Sequence, residues 1–191
     1  MILIKEVDKL KKYLLAIILI SVVIIASGCI NKGNQTANNT SNSTKTYNGD
    51  EFNFNYPANW QQISNEAPNS VVAFGDPNST DSSGNTQINV VIQKVAKPSN
   101  MTLQEYYNTT YTQFASENIG YKPVSNGTIE INGKSALENV YIINSGVQKE
   151  QRAIWIQNNN VIYTILCSAP VSNYNSQQSN FNMIINSFKI I

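Results

Sequence analysis

The stretch FNFNYPANW, residues 52–60, sets the fold. Phe52, Phe54 and Tyr56 recur at every second position, so in an extended chain their rings share one face while Asn53 and Asn55 take the other. Pro57 has no amide hydrogen to give a ladder, and the strand stops there. Trp60 follows closely enough to cover the open end of the sheet that these rings seed. A lone strand cannot bury such a face, so the rest of the chain has to supply partners.

Partners lie on both sides. Tyr47-Asn48-Gly49-Asp50 reads as a turn leading into the aromatic strand. Val71–Phe74 is a short strand stopped by Gly75-Asp76-Pro77-Asn78. Ile88, Val90 and Ile92 alternate with Asn89, Val91 and Gln93, a strand buried on one face and partly on the other. Thr102-Leu103-Gln104-Glu105 is a capping box, in which Thr102 and Glu105 each bond the other's backbone amide. Leu103, Tyr106, Tyr107, Thr110, Tyr111 and Phe114 then fall at helical spacing and form one wide apolar stripe, the signature of a helix lying across a sheet. Gly120 and Pro123 are its expected stop.

Four strands follow, over roughly 124–131, 135–143, 149–157 and 160–168, with turns at Asn132-Gly133, Asn144-Ser145-Gly146 and Asn158-Asn159-Asn160. Connections this short exclude parallel crossovers and give an antiparallel meander. After Pro170 a second helix places Tyr174, Phe181, Ile184, Ile185 and Phe188 on one side, and SFKII at the end reads as a last short strand. The class is α+β: an antiparallel β-sheet with helices packed on it, spanning 47–191.

The order of these elements and two local signatures resemble the PsbP-like family, named after an extrinsic subunit of photosystem II. One signature is Phe52-x-Phe54-x-Tyr56-Pro57-x-x-Trp60; the other is the closing Ile185-Asn186-Ser187-Phe188-Lys189-Ile190. The resemblance covers about residues 47–191 and implies the α+β fold. It implies no single activity, because members include photosystem assembly factors, a Ran-binding nuclear transport factor and prokaryotic lipoproteins. Fold alone does not give function. The chain looks most like the lipoprotein group, and no binding residue is carried over.

The amino-terminal end has a different chemistry. Lys9, Lys11 and Lys12 precede the apolar run Tyr13–Ala26, which is shorter than the ~20 residues that comfortably span hydrocarbon. A basic flank, a short apolar core and small residues before a cut site make a secretory signal. Its end, Ala26-Ser27-Gly28-Cys29, resembles a lipobox, with Ala26 where Leu is commonest. Residues 1–28 are therefore read as a lipoprotein signal helix and Cys29 as the lipid attachment site; an uncleaved signal anchor is the alternative. Residues 29–46 are rich in Asn, Thr and Ser, bury no apolar surface and read as a flexible linker. Both readings place the body on the outer face of the cytoplasmic membrane. Acceptor sequons stand at Asn34, Asn38, Asn39 and Asn42 in the linker, and at Asn78, Asn100, Asn108 and Asn126 in the body.

Composition narrows the function classes. The 191-residue chain has no histidine, which removes the commonest general base and the commonest metal ligand together. Beyond residue 28 it carries nine basic and ten acidic residues, with Arg152 as its sole arginine, so it lacks the basic footprint of a nucleic-acid binder. Cys167, in VIYTILCSA, reads as a small apolar filler of a buried strand.

Asp76, Asn78 and Asp81 have spacings reminiscent of a calcium loop. Yet Asp81 stands where an EF-hand needs Gly, and Gln87 where it needs Glu, so a polar hairpin loop is the plainer reading. Glu138 and Glu150, on strands that pair across the 144–146 turn with Arg152 near to neutralise either, read as solvated sheet-face charge. A glycosidase carboxylate pair would need a cleft, a defined separation and sugar-binding aromatics. The expectation is a membrane-anchored, non-enzymatic lipoprotein, without cofactor, that binds or stabilises another envelope component, a protein. The alternatives are a small-ligand or divalent-metal module, using the 76–85 loop or a groove between helix and sheet, and a carbohydrate-directed enzyme.

Overall fold

The computed structural model describes residues 43–64, 67–117 and 119–191. Ten strands form two antiparallel sheets. The small one has the order β1-β2-β10, from β1 (Thr44–Asn48), β2 (Phe52–Pro57) and β10 (Lys189–Ile190). The large one contains β3 (Gln61–Gln62), β4 (Ser70–Gly75), β5 (Asn89–Ala96), β6 (Lys122–Ile131), β7 (Lys134–Ser145), β8 (Val147–Asn158) and β9 (Val161–Pro170). Its order is β3-β4-β5-β9-β8-β7-β6. Among the described residues three helices pack with these sheets: α1 (Leu103–Ser116), α2 (Val171–Tyr174) and α3 (Gln178–Ser187), the last two joined by a 3-10 turn over Asn175–Gln177.

The aromatic strand behaves as its alternation requires. Phe52 and Phe54 are buried, stack on Phe188 at 5.2 and 6.3 Å between ring centroids, and meet Phe74 and Tyr163 edge-on. Trp60 is also buried. It packs edge-on against Phe181 of α3 at 6.4 Å, so it is pinned beneath the carboxy-terminal helix. The chain's last strand, β10, pairs with β2 through Lys189↔Asn53 and Ile190↔Phe52. The two ends of the domain therefore close the same small sheet.

Two boundaries differ from the sequence expectation. Strand pairing begins at Thr44, ahead of Tyr47, because Thr44–Asn48 runs antiparallel to Asn53–Pro57 and is held in the ladder by β2. Helix α1 ends at Ser116, before Gly120 and Pro123, with the Glu117 amide closing the last turn on the Gln113 carbonyl. The expected turn at Asn132-Gly133 has φ of 48° and 77°, the left-handed pair that a two-residue hairpin demands.

The large sheet is covered on both faces. In β9 the residues Tyr163, Ile165, Cys167 and Ala169 face α3 and the small sheet, while Ile162 and Leu166 face α1. β5 and β8 divide in the same way, Val90, Ile92, Ile154 and Ile156 on the α3 side and Val91, Ala153 and Trp155 on the α1 side. The layers are thus α1, the seven-stranded sheet, then α3 with the small sheet.

Candidate functional site

Cys29 and the sequons Asn34, Asn38, Asn39 and Asn42 lie outside the described residues. The remaining candidates fall at three separate places.

The loop between β4 and β5 is built as a closed turn. Asp76 accepts the Asn78 amide at 3.0 Å and caps a 3-10 turn over Pro77–Ser79. One carboxylate oxygen of Asp81 accepts the amides of Ser83 and Asn85, each at 2.9 Å, and the other accepts Gln87 Nε2 at 2.7 Å. Asp76, Asn78 and Asp81 are not brought together as a ligand set, since their local backbone supplies the donors that a cation would have to displace. Among the described residues no three acidic or cysteine side chains converge. Gly75 opens this loop where a Cβ would lie 2.5 Å from Thr86 Cγ2, so the crossing of the two chain segments depends on glycine.

The second place is the α3 side of β7 and β8. Arg152 lies opposite Val140 and Glu138 opposite Ile154, a diagonal that lets Arg152 Nε donate to Glu138 Oε1 at 2.7 Å. Arg152 Nη1 donates to Asn182 Oδ1 of α3 at 2.6 Å, which ties the helix to the sheet. Glu150 is not part of this network, and burial raises its pKa. It lies four residues from Ile154 along β8, or about 13 Å of strand from the Glu138 row. With Arg152 neutralising one member, the two carboxylates form a structural tie and a solitary acid.

The third place is the interface between α1 and the sheet, which is packed along the helix and opens at the helix start into a shallow depression lined by Lys97, Asn100, Leu103, Glu105 and Gln157. Thr102 and Glu105 make the capping box in both directions, the Glu105 amide donating to Thr102 Oγ1 at 3.2 Å and the Thr102 amide to Glu105 Oε2 at 2.7 Å. Lys97, beside this helix start, spends its ammonium on the Met101 and Pro98 carbonyls at 2.7 and 3.3 Å. Further along, Tyr106, Tyr107, Tyr111 and Phe114 pack against Tyr141 and Trp155. Tyr107 OH donates to the Glu138 carbonyl at 2.8 Å, and Trp155 Nε1 donates to Tyr111 OH at 3.1 Å. Burial pushes the Tyr107 phenol up to about 12 and those of Tyr111 and Tyr141 well above their ordinary value, so these hydroxyls stay neutral hydrogen-bonding groups.

One cluster is invisible in the linear pattern. Glu51, in the turn between β1 and β2, accepts from Lys94 of β5 and from Tyr163 OH of β9 at 3.1 Å. The three residues are spread over more than a hundred positions, and only the alternation in β5 and β9, which sends both side chains to one face, hints at the meeting.

Comparison with known proteins accords with this geometry. The PsbP-like protein family matches residues 12–190. No curated protein matches the sequence. The cyanobacterial PsbP (CyanoP) of Synechocystis sp. superposes with a TM-score of 0.59 at 17% identity, over 83% of this chain and 98% of that one. The Ran-binding protein Mog1p of Saccharomyces cerevisiae gives 0.53 at 9% identity, over 78% of this chain and 96% of its own. LpqN of Mycobacterium tuberculosis, described as involved in cell envelope biogenesis, gives 0.51 at 11% identity, over 77% and 84%. At these identities the likeness is one of fold, and it covers the same layers described above. With the family match extending over nearly the whole sequence, the chain belongs to the PsbP-like protein family.

Proposed function

We propose that this PsbP-like protein is exported, held to the outer face of the cytoplasmic membrane by acyl chains on Cys29, and acts without catalysis by binding or stabilising a protein of the cell envelope. The observation that carries the reading is the border at Cys29, where an apolar run behind basic residues gives way within one residue to an Asn-, Thr- and Ser-rich spacer. The border lies inside the region matched by the family. In this reading residues 1–28 are removed, 29–46 form the tether and 47–191 form the displayed body. Buried acyl chains contribute about 0.8 kcal/mol per methylene, so two chains hold a domain that one would release.

The body supports a binding role over a catalytic one. Asp81, Arg152, Glu138 and Lys97 at the candidate places are committed to one another, to neighbouring side chains or to the backbone, and Glu150 stands apart from them. Of two proteins of the same fold, Mog1p is described as Ran-binding and LpqN as involved in cell envelope biogenesis.

Intact mass of the chain purified from its own membranes tests the anchor. The expected species starts at Cys29 and carries acyl mass, and Cys29→Ser retains residues 1–28 without it. A wild-type chain that keeps its leader and has no acyl group overturns the lipid anchor. Crosslinking in intact cells tests the partner, with a discrete protein adduct expected and an adduct-free chain counting against it.

A further inference from the structure

We infer that Asn126 is a glycan attachment site and that the glycan covers the open edge of the large sheet. The inference rests on the export proposed above.

Strand β6 forms one edge of the seven-stranded sheet, and the opposite edge, β3, is only two residues long. Lys122–Glu130 are exposed except for half-buried Ile129. The hairpin pairs Ile131 with Lys134 across a two-residue turn, so alternate residues of β6 turn their amide and carbonyl toward β7. Asn126, Thr128 and Glu130 consequently point theirs away, a row of unpaired groups of the kind that recruits foreign strands. The start of β6 is guarded by Pro123 and by the register shift between Pro123 and Ser125. A charge, Glu130, guards its end. Between these guards lies Asn126-Gly127-Thr128, an acceptor sequon.

The four sequons within the described residues are not equivalent. Asn78 lies in the capped 3-10 turn, where Thr80 Oγ1 donates to the Pro77 carbonyl at 3.0 Å. Asn100 depends on Thr102, whose hydroxyl belongs to the capping box of α1. Asn108 sits within α1 and accepts from Gln104 at 2.9 Å, while its Thr110 is buried and donates to the Tyr106 carbonyl. At the fourth site Asn126, Gly127 and Thr128 are all exposed, and a Cβ built on Gly127 meets nothing within 4 Å. Neither the Asn126 amide nor the Thr128 hydroxyl is engaged by another described side chain.

The donor is a polyprenyl-phosphate-linked oligosaccharide, and the catalyst a membrane transferase facing the cell exterior. Asn126 Nδ2 attacks the anomeric carbon. The new N–C bond forms as the C–O bond to phosphate breaks, the amide proton passes to a carboxylate of the transferase, and the lipid phosphate leaves.

Peptide mapping by mass spectrometry of the full chain, purified from its own membranes, tests the site. The 126-bearing peptide is expected to carry sugar mass, with near-complete loss in Asn126→Gln and also in Thr128→Ala, which keeps the acceptor amide. Light scattering of the purified chains is expected to show concentration-dependent association of Asn126→Gln beyond that of wild type. An unmodified Asn126 peptide from a chain that external protease can reach overturns the inference and leaves export standing. An unmodified chain recovered from the cytosol overturns both. Modification without any change in association of the Gln variant overturns the edge-covering role alone.

Discussion

The two faces of the large sheet each bury an apolar cluster, but only the face toward α1 mixes that cluster with buried amides and hydroxyls. Toward α3 and the small sheet the strands present Val, Ile, Ala, Cys and aromatic rings, with the Arg152–Glu138 pair at the margin. Toward α1 the same strands bury Asn89, Gln93, Asn139, Gln151, Thr164 and Ser168, and the helix answers with tyrosines and Thr110. An apolar face gains from area alone and tolerates any filling of the right volume. A face lined with amides and hydroxyls is held by directed bonds such as Tyr107 to the Glu138 carbonyl and Trp155 to Tyr111. The α3 layer is therefore the more uniformly apolar of two cores, and the α1 layer adds directed bonds that fix the position of one helix.

That contrast breaks first at Phe181. Its ring is fully buried among Trp60, Tyr174 and the apolar strands, so Phe181→Ala leaves a cavity with no polar lining to hydrate. The expected loss is about 3–5 kcal/mol, read as a lowered midpoint in urea. A loss under ~1 kcal/mol would mean that the α3 face is not a close-packed core.

The α1 face is probed by one atom. Tyr111→Phe keeps the ring and removes the acceptor of the buried Trp155 indole, at an expected cost of about 1–3 kcal/mol. The same face predicts an alkaline limit. A phenol whose folded pKa lies above its unfolded value binds its proton more tightly in the native state, so its contribution is whole below the unfolded value of 10.0 and is lost as pH rises through the folded one. Tyr107, at about 12, with Tyr111 and Tyr141 also held well above their ordinary value by burial, should make urea midpoints fall once pH exceeds 10.0. Removing the Tyr111 phenol should flatten that fall. A midpoint unchanged up to pH ~12 would show that the phenols are hydrated in the folded protein.

Much of this architecture was legible because the signals are local. The period-two rings of β2, the capping box, the Asn-Gly turn and the apolar side of α3 each depend on residues a few positions apart. The α1-facing chemistry was not legible in the same way. Asn89 and Gln93 alternate with valine and isoleucine as a watered face would, yet both are interior and donate to loop carbonyls, Asn89 to Thr86 and Gln93 to Pro68. β1 hid in polar spacer composition, since Thr44, Lys45 and Thr46 are strand by virtue of β2 alone. The calcium-like spacing was ambiguous for a physical reason. Asp and Asn suit cation loops and tight turns equally, because the same oxygens that bind a metal also accept amides two residues on. Arg152's link to Glu138 was within reach of strand pairing, but its second partner, Asn182, required the docking of α3.

The smallest expected effect asks whether α1 is set by its own end or by the tyrosines beneath it. Thr102→Ala removes the hydroxyl that receives the Glu105 amide and breaks the reciprocal bond, so it should cost about 1 kcal/mol, within the ~0.5–2 kcal/mol range for such caps. The loss should weaken on acidification as well. Thr102 holds the Glu105 carboxyl below its usual range through backbone and hydroxyl bonds, and that stabilisation is present above the unfolded value of 4.5 and disappears as pH falls through the folded one. If hydrogen exchange in Thr102→Ala rises only over the first turn, while Tyr111 and the amides around it stay protected, the cap closes the helix and the buried hydroxyls hold it. If protection is lost along the whole of α1, the helix depends on its terminus, and the directed bonds to the sheet are a consequence of its position and not the cause.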